Sequence, residues 1–321
     1  MPVPDQPRIG QECSDLILSG QCVAFVGSGL SASQFDSWPK LVNRLCDRCG
    51  ASTRVSDDET DAEKLIQAAE DAKISSGSAY LTCLGEHFGR IPDINPCYDL
   101  LLKLPFKSIV TLNFDPVLAY KAGLQQVADV SFRILPYPGL DRAEMRRGAI
   151  FYAHGLIQVG KPVCDGSIVL AKSEYDHAYE NGGPLQRFMS ELLQRDPICF
   201  VGCGLRDPPL KGLFDRARRD QVESARLLGY GRPRRFALVA DPTSTTAIPQ
   251  PGSSDHDRGA DDLRRHRELT EQFYSDRDID VEFYDPMDRH HTGLRLMLEK
   301  LTVVTPLPIQ ENPYRNDSTI L

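Results

Sequence analysis

The chain has 321 residues, 41% of them hydrophobic, enough for one large α/β domain or two ordinary ones with a sizeable core. Its formal net charge of −8 argues against nucleic acid as the main partner, because phosphate binding needs a basic surface. No run approaches the ~18 apolar residues of a membrane span, and the N-terminus has no apolar signal core, so the sequence reads as soluble and cytoplasmic.

The first strong element is 22-CVAFVGSGLSAS-33, an apolar strand that empties into Gly-Ser-Gly-Leu-Ser. Gly27 and Gly29 let a backbone approach a phosphate, Ser28 and Ser31 add hydroxyls, and the start of the next helix favours an anion. No G-K-[ST] follows, so the turn is not a Walker A motif. Residues 37–50 read as a Ser-capped helix that stops at Gly50. The span from about 52 to 105 then breaks the strand rhythm. Its acidic start and the helix through Leu65, Ala68, Ala69 and Ala72 predict a small helical lobe inserted after the first strand.

Further strands are predicted at 106–111, 149–153, 166–170, 197–201, 235–240 and 280–285. Several are short continuous apolar runs, as strands buried on both faces should be. Alternation with helices, such as 184–194 and the stripe Leu294, Met297, Leu298 and Leu301, predicts an α/β fold. It is a Rossmann-like parallel sheet with helices on both faces and the inserted lobe. Residues 241–260 read as a mobile loop, and 305–321 as a tail after a single domain over 1–304. The basic runs 216-RARRD-220 and 232-RPRR-235 fit a solvated helix face and its loop.

Polar residues gather where predicted strands end, which is where open α/β sheets bind ligands. After the second strand come Thr111, Asn113 and Asp115; after 149-AIFYA-153 come His154 and Gly155; after 198-ICFV-201 come Gly202, Cys203 and Gly204, with Asp207 starting a helix. Two glycine turns suit a ligand with two polar ends, as a dinucleotide has. The nine cysteines are scattered and odd in number, as free thiols would be. Cys46-x-x-Cys49 reads as a partly buried pair, and His290 and His291 as the start of the last helix.

In this order the four elements resemble the sirtuin-like superfamily. Its G-A-G-x-S resembles Gly27-Ser28-Gly29-Leu30-Ser31, its T-Q-N-I-D resembles Thr111-Leu112-Asn113-Phe114-Asp115, its H-G matches His154-Gly155, and its G-T-S-L resembles Gly202-Cys203-Gly204-Leu205. The paired C-x-x-C zinc module that protein-deacylating members carry after the histidine is missing; Cys164, Cys199 and Cys203 have no such spacing, and no zinc is expected. Leu112 and Gly204 replace a glutamine and a serine of the deacylase motifs.

The chain more closely resembles the bacterial defence-associated branch, whose members hydrolyse NAD, in the segment 173–194, with Tyr175 before an apolar helix, and in the ending 284–301. The resemblance implies NAD as substrate, with Asn113 positioning ribose and water, His154 as general base, and Asp115 holding the carboxamide or offsetting the cation. It implies the diphosphate at Gly27, Ser28, Gly29 and Ser31, the adenosine ribose at Gly202, Cys203 and Gly204, and the adenine end at Tyr284 and Asp285. It also implies a homo-oligomer and a separate partner protein, an Argonaute-like or ring-ATPase sensor. The alternatives are an NAD-dependent deacylase and an NAD-binding assembly subunit without turnover.

Overall fold

The computed structural model describes residues 9–304 except 126, 128–129, 181, 206, 229–232, 245–259 and 289. Seven parallel strands form one sheet: β1 (Val23–Val26), β2 (Ser108–Thr111), β3 (Arg133–Pro136), β4 (Ala149–Tyr152), β5 (Ile198–Val201), β6 (Arg235–Ala240) and β7 (Asp280–Tyr284), in the spatial order β3-β4-β2-β1-β5-β6-β7. The central strands β1, β2, β4 and β5 are buried at every residue, which is why they read as unbroken apolar runs.

The two faces sort by the two-residue period of a strand. Ala24 and Val26 face one core, with Ile17 of α1 (Gln11–Leu18), Leu101 of α5 (Cys97–Lys103), Leu118 of α6 (Val117–Leu124) and Leu298 of α11 (Thr292–Val304). Val23 and Phe25 face the other, with Tyr175 of α7 (Lys172–Tyr179), Met189 of α8 (Pro184–Arg195), Phe214 of α9 (Pro208–Leu228) and Tyr274 of α10 (Ala260–Ser275). Helix α8 shows how the pattern specifies packing. Leu185, Phe188, Met189, Leu192 and Leu193 are all buried, each contributing about 1.5–3 kcal/mol of transfer free energy, and Pro184 occupies the first turn, where no N–H partner is lost.

A third core belongs to the lobe, built from α2 (Trp38–Cys49), α3 (Ala62–Ser75) and α4 (Gly77–Phe88). It begins earlier than the span 52–105, since α2 packs directly on α3 and α4, and it ends earlier too, since α5 packs on α11 in a sheet core. Helix α2 stops where expected: Gly50 adopts the left-handed conformation that ends helices, at φ 73°. Ser37 stands at its N-cap position, but its hydroxyl makes no capping bond.

Two strand expectations are corrected. Residues 166–170 lie outside the sheet: Gly166 is in an exposed turn, Ser167 is half-buried, and only 168–170 are buried. Ile168 and Leu170 face the lobe core while Val169 faces the sheet core, so burial on two sides gives the run its strand-like composition. Edge strand β3 escapes a hydrophobic reading because Arg133 is exposed and Pro136 ends it, as an edge tolerates. Of the predicted 241–260 loop only the first four residues and Ala260 are described, and the tail 305–321 lies outside the described residues.

Candidate active site

Strand β1 has its sequence neighbour β2 on one side and β5, reached after a return across the sheet, on the other. That reversal makes the carboxyl ends of β1 and β5 the crevice where such sheets hold ligands. Both glycine turns sit there and press on each other. The Gly29 N–H donates to the Gly202 carbonyl at 2.9 Å, and the Gly27 N–H donates to Val201 O at 2.9 Å. A Cβ at Gly27 would stand 2.4 Å from Gly202 O and 2.7 Å from Cys203 Cα; one at Gly29 would stand 2.8 Å from Gly202 O. These glycines are therefore required first by the approach of the two turns. Ser28 remains exposed at the crest, while Ser31 is buried below it.

The turn is also anchored from below. Asn95 Nδ2 donates to Leu30 O, and His291 hydrogen-bonds the backbone of Gly29. The Ser31 hydroxyl lies 3.3 Å from Ser28 O and 3.2 Å from Asp115 Oδ2. A loop fixed in this way presents its remaining donors without reorganisation.

Thr111 is buried at the end of β2 and receives the N–H of Asn113 on its hydroxyl at 3.0 Å; Asn113 is half-buried. Asp115 is buried, accepts the Val117 N–H at the start of α6, and takes further hydrogen bonds from Ser31 and Asn113. It thus both caps a helix and lies beneath the glycine turn. Burial raises its carboxyl to about 6, the hydrogen bonds offsetting only part of the desolvation.

His154 lies in the turn two residues after β4, with 2% of its surface exposed. Its Nε2 is 2.9 Å from the Tyr179 hydroxyl and 3.8 Å from Asp207 Oδ2. Phe114 stacks on one face of the ring, and Tyr175 and Tyr179 meet it edge-on. Burial pushes its pKa below the ordinary histidine value, while Asp207 pulls the other way, so the ring is neutral near pH 7. The following Gly155 has φ +96°, and a Cβ there would stand 2.0 Å from Ser167 O, so segment 166–170 crossing beneath it dictates the His-Gly pair.

The remaining candidates are placed less directly. Gly204 is exposed beside the second turn, but the Cys203 thiol turns back to Phe25 O at 3.1 Å, burial holding it protonated, while its carbonyl accepts from Tyr274. Tyr284 is buried with its hydroxyl 2.9 Å from His291 Nδ1. Asp285 accepts from Ser244 and from the Met287 N–H, tying the ends of β6 and β7 together. Sequence reading missed Tyr175, Tyr179, Asp207 and Asn95 as site-shaping residues, and took His291 only as a helix start. The spacing of Tyr175 and Tyr179, one helical turn apart on α7, was the available signal.

Residues 107–252 match the model of the SIR2-like domain. The chain carries a SIR2-like domain. Over 223 residues, or 67% of its length, it is 30% identical to the NAD(+) hydrolase ThsA of Enterococcus faecium and spans 43% of that protein. It is also 23% identical over 234 residues to the uncharacterized protein y4cA of Sinorhizobium fredii, of which it spans 19%. The chain therefore covers less than half the length of either relative.

Other expectations can be placed on the structure. Among the described residues no cluster of three or more His, Cys, Asp or Glu could hold a metal ion. The Cys46 thiol is buried and donates to Ala68 O, as part of the lobe core. No described helix is long and apolar enough to cross a membrane. In the basic run 232–235, Arg234 pairs with Glu12 and Asp280, and Arg235 is buried against Leu193 O and Gln221.

Proposed function

We propose that this SIR2-like domain is an NAD+ glycohydrolase that cleaves the nicotinamide–ribose bond and releases nicotinamide and ADP-ribose. The observation that carries the reading is the meeting of Asn113, Asp115 and His154 with two glycine turns at one strand edge, in a chain similar to an NAD(+) hydrolase. Nicotinamide leaves as a neutral molecule, so the reaction needs no general acid. What it needs is support for a cationic, oxocarbenium-like ribose and a water to trap it.

The residues divide that work by their environments. Asp115, ionised above about pH 6, supplies negative charge close beneath the turn. Asn113 has a half-exposed amide able to hold a ribose hydroxyl or the water. Neutral His154 takes the proton that the attacking water gives up, directly or through a ribose hydroxyl. The Gly27–Ser31 turn receives the diphosphate, the second turn and the Tyr284–Asp285 end receive the adenosine, and no metal is invoked.

The finer reading is that hydrolysis depletes NAD in antiviral defence, in a homo-oligomer triggered by a separate sensor protein. Its support is the resemblance to defence-associated relatives. Purified protein incubated with NAD, alone and with candidate partners, should release nicotinamide and ADP-ribose. Asn113→Ala and His154→Ala should each lower that release by at least ~100-fold, the scale of a lost general base. Unchanged release in both variants would remove the proposal. Product that forms only with an acylated peptide would replace it with deacylation.

A further inference from the structure

Asp207 and the two tyrosines of α7 surround His154. The Tyr175 hydroxyl donates to Asp207 Oδ2 at 2.7 Å, and Oδ2 stands 3.8 Å from His154 Nε2. The Tyr179 hydroxyl, 2.9 Å from the same Nε2, can donate or accept there. The stacked Phe114 and the two tyrosine edges hold the ring plane in place.

We infer that Asp207 and Tyr179 are positioning residues that fix His154 with its proton on Nε2, leaving Nδ1 as the nitrogen that accepts a proton. The carboxylate decides which way the Tyr179 bond runs. A proton on Nε2 points toward a nearby negative charge, whereas a lone pair on Nε2 would face it, and a site this dry screens the difference weakly. Asp207 is held in place from the other side: its Oδ1 accepts the Leu210 N–H at the start of the 21-residue helix α9, whose dipole favours a negative group. Tyr175 spends its own hydroxyl on Asp207 and so does not compete for the ring. The titratable groups facing the imidazole are these three alone among the described residues: Tyr175 and Tyr179 from α7, and Asp207 from the turn after β5.

The plain alternative is that Asp207 only caps α9 and the tyrosines only fill the core. Asp207→Asn separates the two, because asparagine caps helices as well as aspartate through its Oδ1 and its Nδ2 can donate to the Tyr175 hydroxyl in place of the bond now accepted, but it carries no charge. The catalytic consequence rests on His154 being the general base proposed above; the tautomer itself is a property of the folded chain. The test is long-range 1H–15N NMR on protein labelled with 15N-histidine, with His154 assigned by its loss in His154→Gln. The wild type should show Nε2 protonated and Nδ1 unprotonated at pH 7.5. Asp207→Asn and Tyr179→Phe should each give a mixture of tautomers, with melting curves confirming that both variants are folded.

In turnover, Asp207→Asn should lower kcat by ~10–100-fold, with KM within about twofold, and move the acidic limb of kcat to lower pH. The shift runs that way because the lost charge had favoured the protonated ring. A wild-type Nδ1–H form, or an Asp207→Asn spectrum identical to wild type, overturns the inference. If the spectra behave as expected but the wild type releases no nicotinamide under any trigger, the hydrolase reading fails and the positioning stands.

Discussion

At the scale of single residues, the site places a carboxylate and an imidazole where each is held away from its ordinary titration. Asp115 gains hydrogen bonds from Val117, Ser31 and Asn113, yet burial still outweighs them and raises its pKa from 3.8 to about 6. A folded-state pKa above the unfolded one means the folded chain binds this proton more tightly. The stabilisation is full below about pH 4 and is lost as pH rises through 6, so above pH 7 the ionised group costs roughly 3 kcal/mol. Asp115→Asn keeps the side chain's size and its Oδ1 acceptor for the Val117 N–H, offers Ser31 Oγ a donor in place of an acceptor, and removes that cost. Its melting temperature should exceed wild type by several degrees at pH 8 and match it near pH 4, while nicotinamide release falls. Equal melting at pH 8 would show that the carboxylate is not penalised. Turnover of the wild type should also drop below about pH 6, as Asp115 protonates, and drop more steeply once His154 takes a proton as well.

At the scale of elements, what the sequence made legible follows from how one-dimensional each signal is. Strands β1, β2, β4 and β5 are buried on both faces, so their composition alone marks them. The stripes of α8 and α11 face a single core each. The run at 166–170 misled because burial between the lobe and the sheet looks the same in sequence as burial within a sheet. Edge strand β3 was silent because half of it meets solvent. Asn113, Asp115 and His154 stand out as candidates in the sequence because they follow strand ends, where open sheets bind ligands. Tyr175, Tyr179 and Asp207 do not, because only the fold brings α7 against the turn after β5. The glycine turns show the same contrast. The motif suggested phosphate contact, but the close approach of Gly27 to Gly202 is the harder constraint. Gly27→Ala should therefore destabilise the chain itself, by about 1–3 kcal/mol of overpacking and backbone shift. Denaturant unfolding without nucleotide measures this, and an unaffected midpoint would mean that the turns can separate freely.

At the scale of the whole molecule, a lobe with its own core is fastened to a sheet that has two. The fastening is concentrated on α7. Glu174 is buried and accepts from the Leu170 and Ala171 N–H groups, from the Tyr80 hydroxyl of α4 and from Lys73 of α3. Ser173 adds bonds to Glu70 of α3. The same helix carries Tyr175 and Tyr179 to Asp207 and His154, so one element holds both the lobe and the His154 ring. A second link is aromatic, running from Phe35 through Phe88 and Phe114 to His154. Removing the charge in Glu174→Gln should leave Lys73 with only its outer partner Asp165 and weaken the lobe's attachment without touching the sheet. Replacing a charged hydrogen-bond acceptor in this way costs about 1–3 kcal/mol. Native-state hydrogen exchange should then show amides of α3 and α4 opening roughly 10-fold or more faster, while β1, β2 and β5 keep wild-type protection. Uniformly faster exchange across both units would mean that lobe and sheet unfold as one. Unchanged exchange would mean that the Ser173 and aromatic links hold the lobe unaided, and that Glu174 serves only the start of α7.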